Sequence, residues 1–416
     1  MISDEKAAQT SPALQFDNST DGQWPPLQPQ YRAGHRGRRP LLTTNNYKLI
    51  TIRVGIHVKK KIPIIIINAL FLLAFFACLI ASGSIRNTLQ SQQAVNAWAG
   101  QSGERFAQLS VFMPPNFTFT EESIHHLRAA IDSALIDASL ESTPEQILYT
   151  DAWAAQGTVF VASGRGSATV QAYGVGGNFF LFHPLRLRDG SYFSPHDLMR
   201  DRVVLDEELA WRLFGSIRIS GLEITINGLP HIIAGVVARD TDFATSRAYT
   251  AGAGLFMSYE SLRELTAGQA QISTYLIVMP DPITGFALRT LTEAFPANDA
   301  HIIENSNRYS LANIFAVVES FGERGMRTDG IIYPYWENAA RYTEDWLALL
   351  LVLMLVFIIC PTVFGIIYSV KGICYLIEHT KSNIKQAIEK RDEWEAEQYL
   401  LKNEEKLANQ IRDDDL

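Results

Sequence analysis

No lysine occurs between Ile62 and Val370. All 11 lysines lie before or after that stretch, which excludes a Ser–Lys dyad or a Schiff-base lysine from it. Cysteine is almost as scarce, with three in 416 residues: Cys78, Cys360 and Cys374. Cys78 and Cys360 sit inside apolar runs and Cys374 just beyond the second run. The segment 84–344 has none, so disulfides do not staple it, and its stability must come from its own core. A segment of that length supplies such a core without help. The signatures of nucleotide and hydrolytic chemistry are also missing. The sequence contains no GxxxxGK[ST] loop, no HExxH, no CxxC and no GxSxG. This sequence therefore hydrolyses no ATP through a P-loop of its own, and it is expected to be no enzyme and to hold no cofactor or metal.

The scattered titratable residues fit that expectation. His125-His126 falls on a predicted helix whose apolar stripe lies elsewhere, which predicts exposure to solvent. His183, His196 and Asp197 lie near Asp189 in sequence, but no third and fourth ligand follow at the spacing zinc needs. Asp206-Glu207-Glu208 reads as the charged first turn of a helix, where acids meet the positive end of the dipole.

Two long apolar runs stand out from this sparse chemistry. Residues 62–83 and 346–370 carry no charged side chain over 22 and 25 residues. At about 1.5 Å per residue each crosses a hydrocarbon core of roughly 30 Å, so both are predicted transmembrane helices. Pro63 falls in the first turn of the first, where a missing N–H costs little. Asn68 is expected to face another helix. Pro361 and Gly365 predict a kink in the second span, and Trp336, Tyr342 and Trp346 predict an aromatic belt before it.

Charge sets the expected orientation. Arg53, Lys59, Lys60 and Lys61 flank the first span on its N-side, and Lys371, Lys381 and Lys385 flank the second on its C-side. The positive-inside rule then puts both ends in the cytoplasm and the middle outside. That middle, 83–345, is acidic, with 18 arginines against 29 acidic residues. The basic N-terminal tail reads as a topology signal, with no nucleic-acid partner implied. The expected layout is a disordered tail (1–47), a basic juxtamembrane segment (48–61), the first span (62–83), an extracytoplasmic domain (84–344), the second span (345–370) and a cytoplasmic helical tail (371–416). In that tail Ile377, Ile384, Ile388, Trp394, Leu401 and Ile411 recur near helical spacing, as in an amphipathic or docking helix that prolongs the second span.

The middle domain reads as α+β, in two subdomains. FAQLSVFM at 106–113 is a strand, and Thr120 caps a helix whose stripe is Ile124, Leu127, Ile131 and Leu135. Strands follow at 158–163, 168–175 and 273–279, with helices at 206–215, 259–266 and 282–294. A hairpin spans 223–237 around Asn227-Gly228.

Within this pattern an ordered set of pieces repeats a known family. The pieces are Gly174-Val175 with Asn178-Phe179-Phe180, then Arg188-Asp189-Gly190 with Tyr192-Phe193 and Asp197. Val203-Val204-Leu205, Glu208-Leu209-Ala210 and Leu213-Phe214-Gly215 follow. Gly221, Ile224, Ile226-Asn227-Gly228 and Ile233-Ala234-Gly235-Val236-Val237 complete the set. Together they resemble the extracytoplasmic core domain of MacB-like ABC transporter permeases. The resemblance implies a lipid-embedded, oligomeric transport component working with a separate P-loop ATPase or a full permease subunit.

Two departures stand beside it: such permeases have four spans where two occur here, and their cytoplasmic ERxxEIG-type signature is absent. Ile219 also stands where the family's turn often has proline. The alternative with the same two-pass layout is a membrane scaffold or sensor such as a polysaccharide chain-length regulator, although those carry a proline-rich second span and a long helical outer domain. An extracytoplasmic enzyme is the third reading, and no motif supports it.

Overall fold

A computed structural model describes residues 45–100, 104–140, 147–249, 254–295, 299–321 and 330–414, with side chains over 62–405. The expected disordered tail and its basic HRGRRP segment at 35–40 lie outside the described residues, apart from the helical stretch that begins at Asn45. The chain divides after Ile62 into two units, and everything below concerns Pro63–Leu416 except the start of the first helix.

In chain order the elements are α1 (Asn45–Thr88), α2 (Ala94–Ala99), β1 (Phe106–Phe112), α3 (Glu121–Asp137), β2 (Thr150–Ala162), β3 (Ser167–Gly177) and α4 (Phe179–Phe182). Next come β4 (Leu187–Gly190), β5 (Arg202–Asp206), α5 (Glu207–Phe214), β6 (Glu223–Ile226), β7 (Leu229–Val237), α6 (Thr245–Ala248), β8 (Gly254–Ser258) and α7 (Tyr259–Leu265). The last are β9 (Ile272–Pro280), α8 (Phe286–Ala294), β10 (His301–Glu304), α9 (Leu311–Glu319) and α10 (Tyr335–Asp414).

The ten strands among the described residues form one sheet in the order β10-β1-β9-β2-β3-β8-β5-β7-β4, with β6 bridging β2 and β7. The two expected subdomains therefore share a single continuous sheet. Its neighbours are antiparallel except for β3/β8 and β5/β7. β9 lies in the middle of the β10–β3 half and is buried on both faces, which is why it reads as a near-continuous apolar run. Its alternate residues divide the core. Tyr275, Ile277 and Met279 point into one apolar cluster, and Leu276 and Val278 into the other.

The first cluster is covered by α3, α5, α7 and α8. The predicted stripe Ile124, Leu127, Ile131 and Leu135 is buried there, and Thr120 caps α3 by accepting the Ser123 N–H. Asp206 caps α5, and Gly215 ends it in the left-handed region at φ 68°. The second cluster lies under α2, α4 and the first residues of α10.

The resemblance pieces prove to be turns and close approaches that hold this sheet together. Asn227 and Gly228 both take positive φ, as a tight two-residue hairpin requires. Gly190 pairs with Gly235 so closely that a Cβ on Gly190 would lie 2.1 Å from the Ala234 carbonyl oxygen. Beside it the Asp189 carboxylate accepts the Ile219 and Ser220 N–H groups, and those bonds hold its pKa below the usual carboxylate value.

Several expectations about the apolar helices change. α1 starts at Asn45, so Pro63 lies inside the helix and not in its first turn. The Asn68 side chain turns back on its own helix and donates to the Ile64 carbonyl at 2.8 Å. The two spans do touch, through an edge-to-face contact of Phe71 and Phe357 at 5.8 Å. α10 runs on through Pro361 and Gly365 as one helix of 80 residues. At about 1.5 Å per residue it is roughly 120 Å long. Beyond its apolar run Ile377, Ile384, Ile388, Trp394 and Leu401 are exposed, so among the described residues the predicted seam meets no partner, and the Ile411 side chain lies outside the described residues.

Candidate functional site

α10 belongs to two environments, and the place where it passes between them is the site with the most concentrated chemistry. Its first turns are built into the folded domain. Trp336, expected at a membrane interface, is 4% exposed and packs within the second core cluster. Its ring lies 5.5 Å from Tyr173, 5.6 Å from Phe179 and 4.5 Å from His183. Tyr335 stacks on Tyr249 at 4.6 Å. This aromatic layer joins three strands or loops to one helix end. Aromatic residues fill it because they supply large buried area with defined edge-to-face geometry. His183 is buried in the layer, at 5% exposure. Burial alone pushes its pKa down to about 3, so the imidazole is neutral.

The next residue of α10, Glu337, begins a buried ion network that reaches about two turns further, to Glu344. Arg308, in the turn after β10, donates two hydrogen bonds to Glu337 at 2.7 and 2.6 Å and a third to Glu344. The side chains are 3%, 1% and 9% exposed, so the charges are out of water. Burial works against the guanidinium charge, but the carboxylates of Glu337 and Glu344 outweigh it, and the Arg308 pKa is held above its ordinary value. The forked guanidinium matches one carboxylate face-on and reaches the second, a geometry lysine does not offer. Removing one member of such a network costs about 3–5 kcal/mol, because a charge that stays buried loses a counter-charge.

Two small elements brace α10 at the same level. Ala244 and Ala248, around α6, pack against Ala339 and Ala340 together with Leu89, which follows the end of α1. Ile314 and Val317 of α9 pack against Leu347, Ala348 and Leu351. Phe243, Tyr342 and Trp346 form an aromatic group at the edge, where the Arg247 guanidinium donates to the Tyr342 hydroxyl at 2.8 Å. Both membrane helices are thus fixed to the folded domain in one region.

The histidines and acids read from sequence do not assemble. His183 lies in the aromatic layer, and Asp189 is engaged in its turn. His196 and Asp197 line a separate cavity of about 340 Å³ with Arg128, Asp151, Arg200 and Glu260. In that cavity Arg128 grips Asp151 through two hydrogen bonds, at 2.8 and 2.7 Å. Glu121 has a raised pKa, from burial first and the neighbouring Glu260 second. His125 and His126 are exposed. Asp206 caps α5, while Glu207 and Glu208 pair with Arg188 and Arg239. Among the described residues no three His, Cys, Asp or Glu side chains are grouped to hold a metal ion. Arg308, Glu337 and Glu344 carry no sequence motif. The one available signal is the seven-residue spacing of two acids on a helix just before an apolar run, which puts both on one face.

Comparison with known proteins agrees with the architecture. The family model of the MacB-like periplasmic core domain matches residues 71–293. Of the solved structures, the periplasmic region of MacB from Actinobacillus actinomycetemcomitans matches at 17% identity and TM-score 0.36, covering 52% of this chain and 94% of that one. The extracellular domain of the noncanonic ABC-type transporter YknZ from Gram-positive bacteria matches at 14% identity and TM-score 0.34, covering 48% and 100%. A domain of a putative permease protein from Porphyromonas gingivalis matches at 10% identity and TM-score 0.28, covering 51% and 97%. No curated protein matches.

Proposed function

The chain belongs to the MacB-like periplasmic core domain family, and on that premise we propose that it is a two-pass membrane component of an ABC-type transport assembly, a reduced permease or accessory subunit. The ten-stranded domain binds a partner or substrate outside the membrane, and α10 couples that event to a separate ATPase inside. The observation that carries this reading is the Arg308–Glu337–Glu344 network. It locks the outer domain to a helix that continues unbroken past an apolar run of bilayer length, so a change in one end is felt at the other. The lysine-rich flanks of both apolar runs support cytoplasmic ends. The missing P-loop in this sequence supports an ATPase on another chain, and two helices alone line no path, which supports an oligomer. Domain boundaries follow the same reading, except that α10 enters the outer domain at Tyr335, ahead of the expected border near residue 344.

Association tests it. Purified in mild detergent from its native membrane, the chain should retain a P-loop ATPase. The ATPase rate of that complex should fall several-fold in Arg308→Met. Recovery only as a free homo-oligomer would overturn the proposal in favour of a scaffold.

A further inference from the structure

α9 is a short helix with an apolar surface that the described residues only half cover. At about 100° per residue, Val317, Ile314, Val318, Leu311 and Phe315 form one continuous arc of roughly 160°. Ile314 and Val317, at one side of the arc, are 4% and 6% exposed against α10. Leu311 and Phe315, at the other side, are 71% and 47% exposed, and Phe321 just beyond the helix is 55% exposed. Ala316 and Ser320 lie on the opposite side of the helix, and Glu319, at the edge, is its one charged residue.

What surrounds the uncovered side is decided by where the covered side sits. Its neighbours are Leu347, Ala348, Leu351 and, at the rim, Met354. All four lie inside the uncharged run 346–370. Eight residues of α-helix separate Trp346 from Met354, about 12 Å of rise, so α9 packs beside the part of α10 that enters the bilayer. The solvent of that part of α10 is lipid: Leu349, Val352 and Leu355 on its outer surface are 43%, 40% and 44% exposed. An apolar arc that begins on α10 and continues around α9 meets the same solvent.

We propose that α9 is an interfacial helix, lying in the outer leaflet of the bilayer with Leu311, Phe315 and Phe321 against acyl chains and Ala316 and Ser320 toward the headgroups. Helices of this kind seat their apolar face roughly 5–10 Å into the boundary of headgroups and chains. Glu319 reaches the polar layer by extending its side chain outward. Arg308 lies three residues before α9, so the buried network is tied to the membrane surface as well as to the sheet.

The test uses the full chain in proteoliposomes, with Cys78→Ala, Cys360→Ala and Cys374→Ala. A nitroxide label is placed singly through Leu311→Cys, Phe315→Cys, Ala316→Cys or Leu349→Cys. All four positions are exposed, so the labels disturb no core packing. Collisions with oxygen report lipid, and collisions with a water-soluble nickel chelate report water. At Leu311 and Phe315 the oxygen-to-nickel ratio should resemble that at Leu349 and exceed that at Ala316 several-fold. A ratio at Phe315 equal to that at Ala316, with Leu349 still in lipid, would overturn the inference and leave the membrane reading intact. So would a Phe315 label closed to both reagents and broadened by a second label, since another copy of the chain would then cover the arc. Water access at Leu349 would remove the membrane reading itself, and the inference with it.

Discussion

Arg308 is a residue whose loss should be felt far beyond its own contacts. Arg308→Met removes the guanidinium that Glu337 and Glu344 share in a buried setting, and the chain should lose about 3–5 kcal/mol of stability. Adding Glu337→Met and Glu344→Leu should recover much of that loss, because an apolar set of similar volume needs no compensation. Denaturant unfolding in detergent, followed by tryptophan fluorescence, separates the two outcomes. Full recovery of stability without recovery of ATPase stimulation would assign the network to coupling. His183 makes a different prediction. The folded chain holds it neutral down to about pH 3, whereas the unfolded chain takes a proton near 6.5. Its contribution is therefore intact above pH 6.5 and declines as the pH falls below that value. Between pH 6.5 and 5 the loss should be roughly 2 kcal/mol. His183→Leu should flatten that part of the stability profile, and an unchanged slope would mean the imidazole is not enclosed.

Single elements show why some of the fold is legible and some is not. α3 announces itself, since a cap, two acids and four apolar residues at helical spacing all agree. The Asn227-Gly228 hairpin does too, because few other dipeptides take two positive φ values cheaply. β2 starts eight residues before the run that betrays it, because three of its first six residues are Ala152, Ala154 and Ala155, small residues buried by neighbours and not by strand preference. α8 begins at Phe286, four residues later than expected, where Gly285 takes φ 84°. β10, at four residues, is too short to show a period, and α9 at nine mixes its apolar residues over nearly half its circumference. Trp336 misleads for a physical reason. A tryptophan before an apolar run marks an interface only if the helix emerges from the protein first, and here the helix is still inside it. The candidate site was the least legible part, since buried ion networks join residues distant in sequence and leave no local pattern. At this scale Gly190→Ala is the sharp test. Its φ of 67° and the nearby Ala234 oxygen oppose any side chain, so unfolding measurements should show a loss of more than about 1 kcal/mol. Gly164→Ala, with open space around it, should lose far less.

For the whole molecule, the uneven distribution of lysine turns topology into a labelling experiment. Every lysine lies outside 62–370. A sulfonated amine-reactive reagent that cannot cross bilayers should leave the chain unmodified in sealed spheroplasts and modify it after permeabilisation. An arginine-cutting protease added to the same spheroplasts should cleave between the spans. Labelling before permeabilisation would reverse the proposed orientation.

The unbroken course of α10 carries a mechanical consequence. A rod pinned by Arg308 near one end acts as a lever, and from Trp346 to Asp414 its arm measures roughly 100 Å. A tilt of about 5° at the pivot would sweep the far tip through roughly 9 Å, nearly the width of a helix. Movements in the outer domain too slight to notice beside the sheet would arrive on the other side of the bilayer as displacements large enough to make or break a subunit contact.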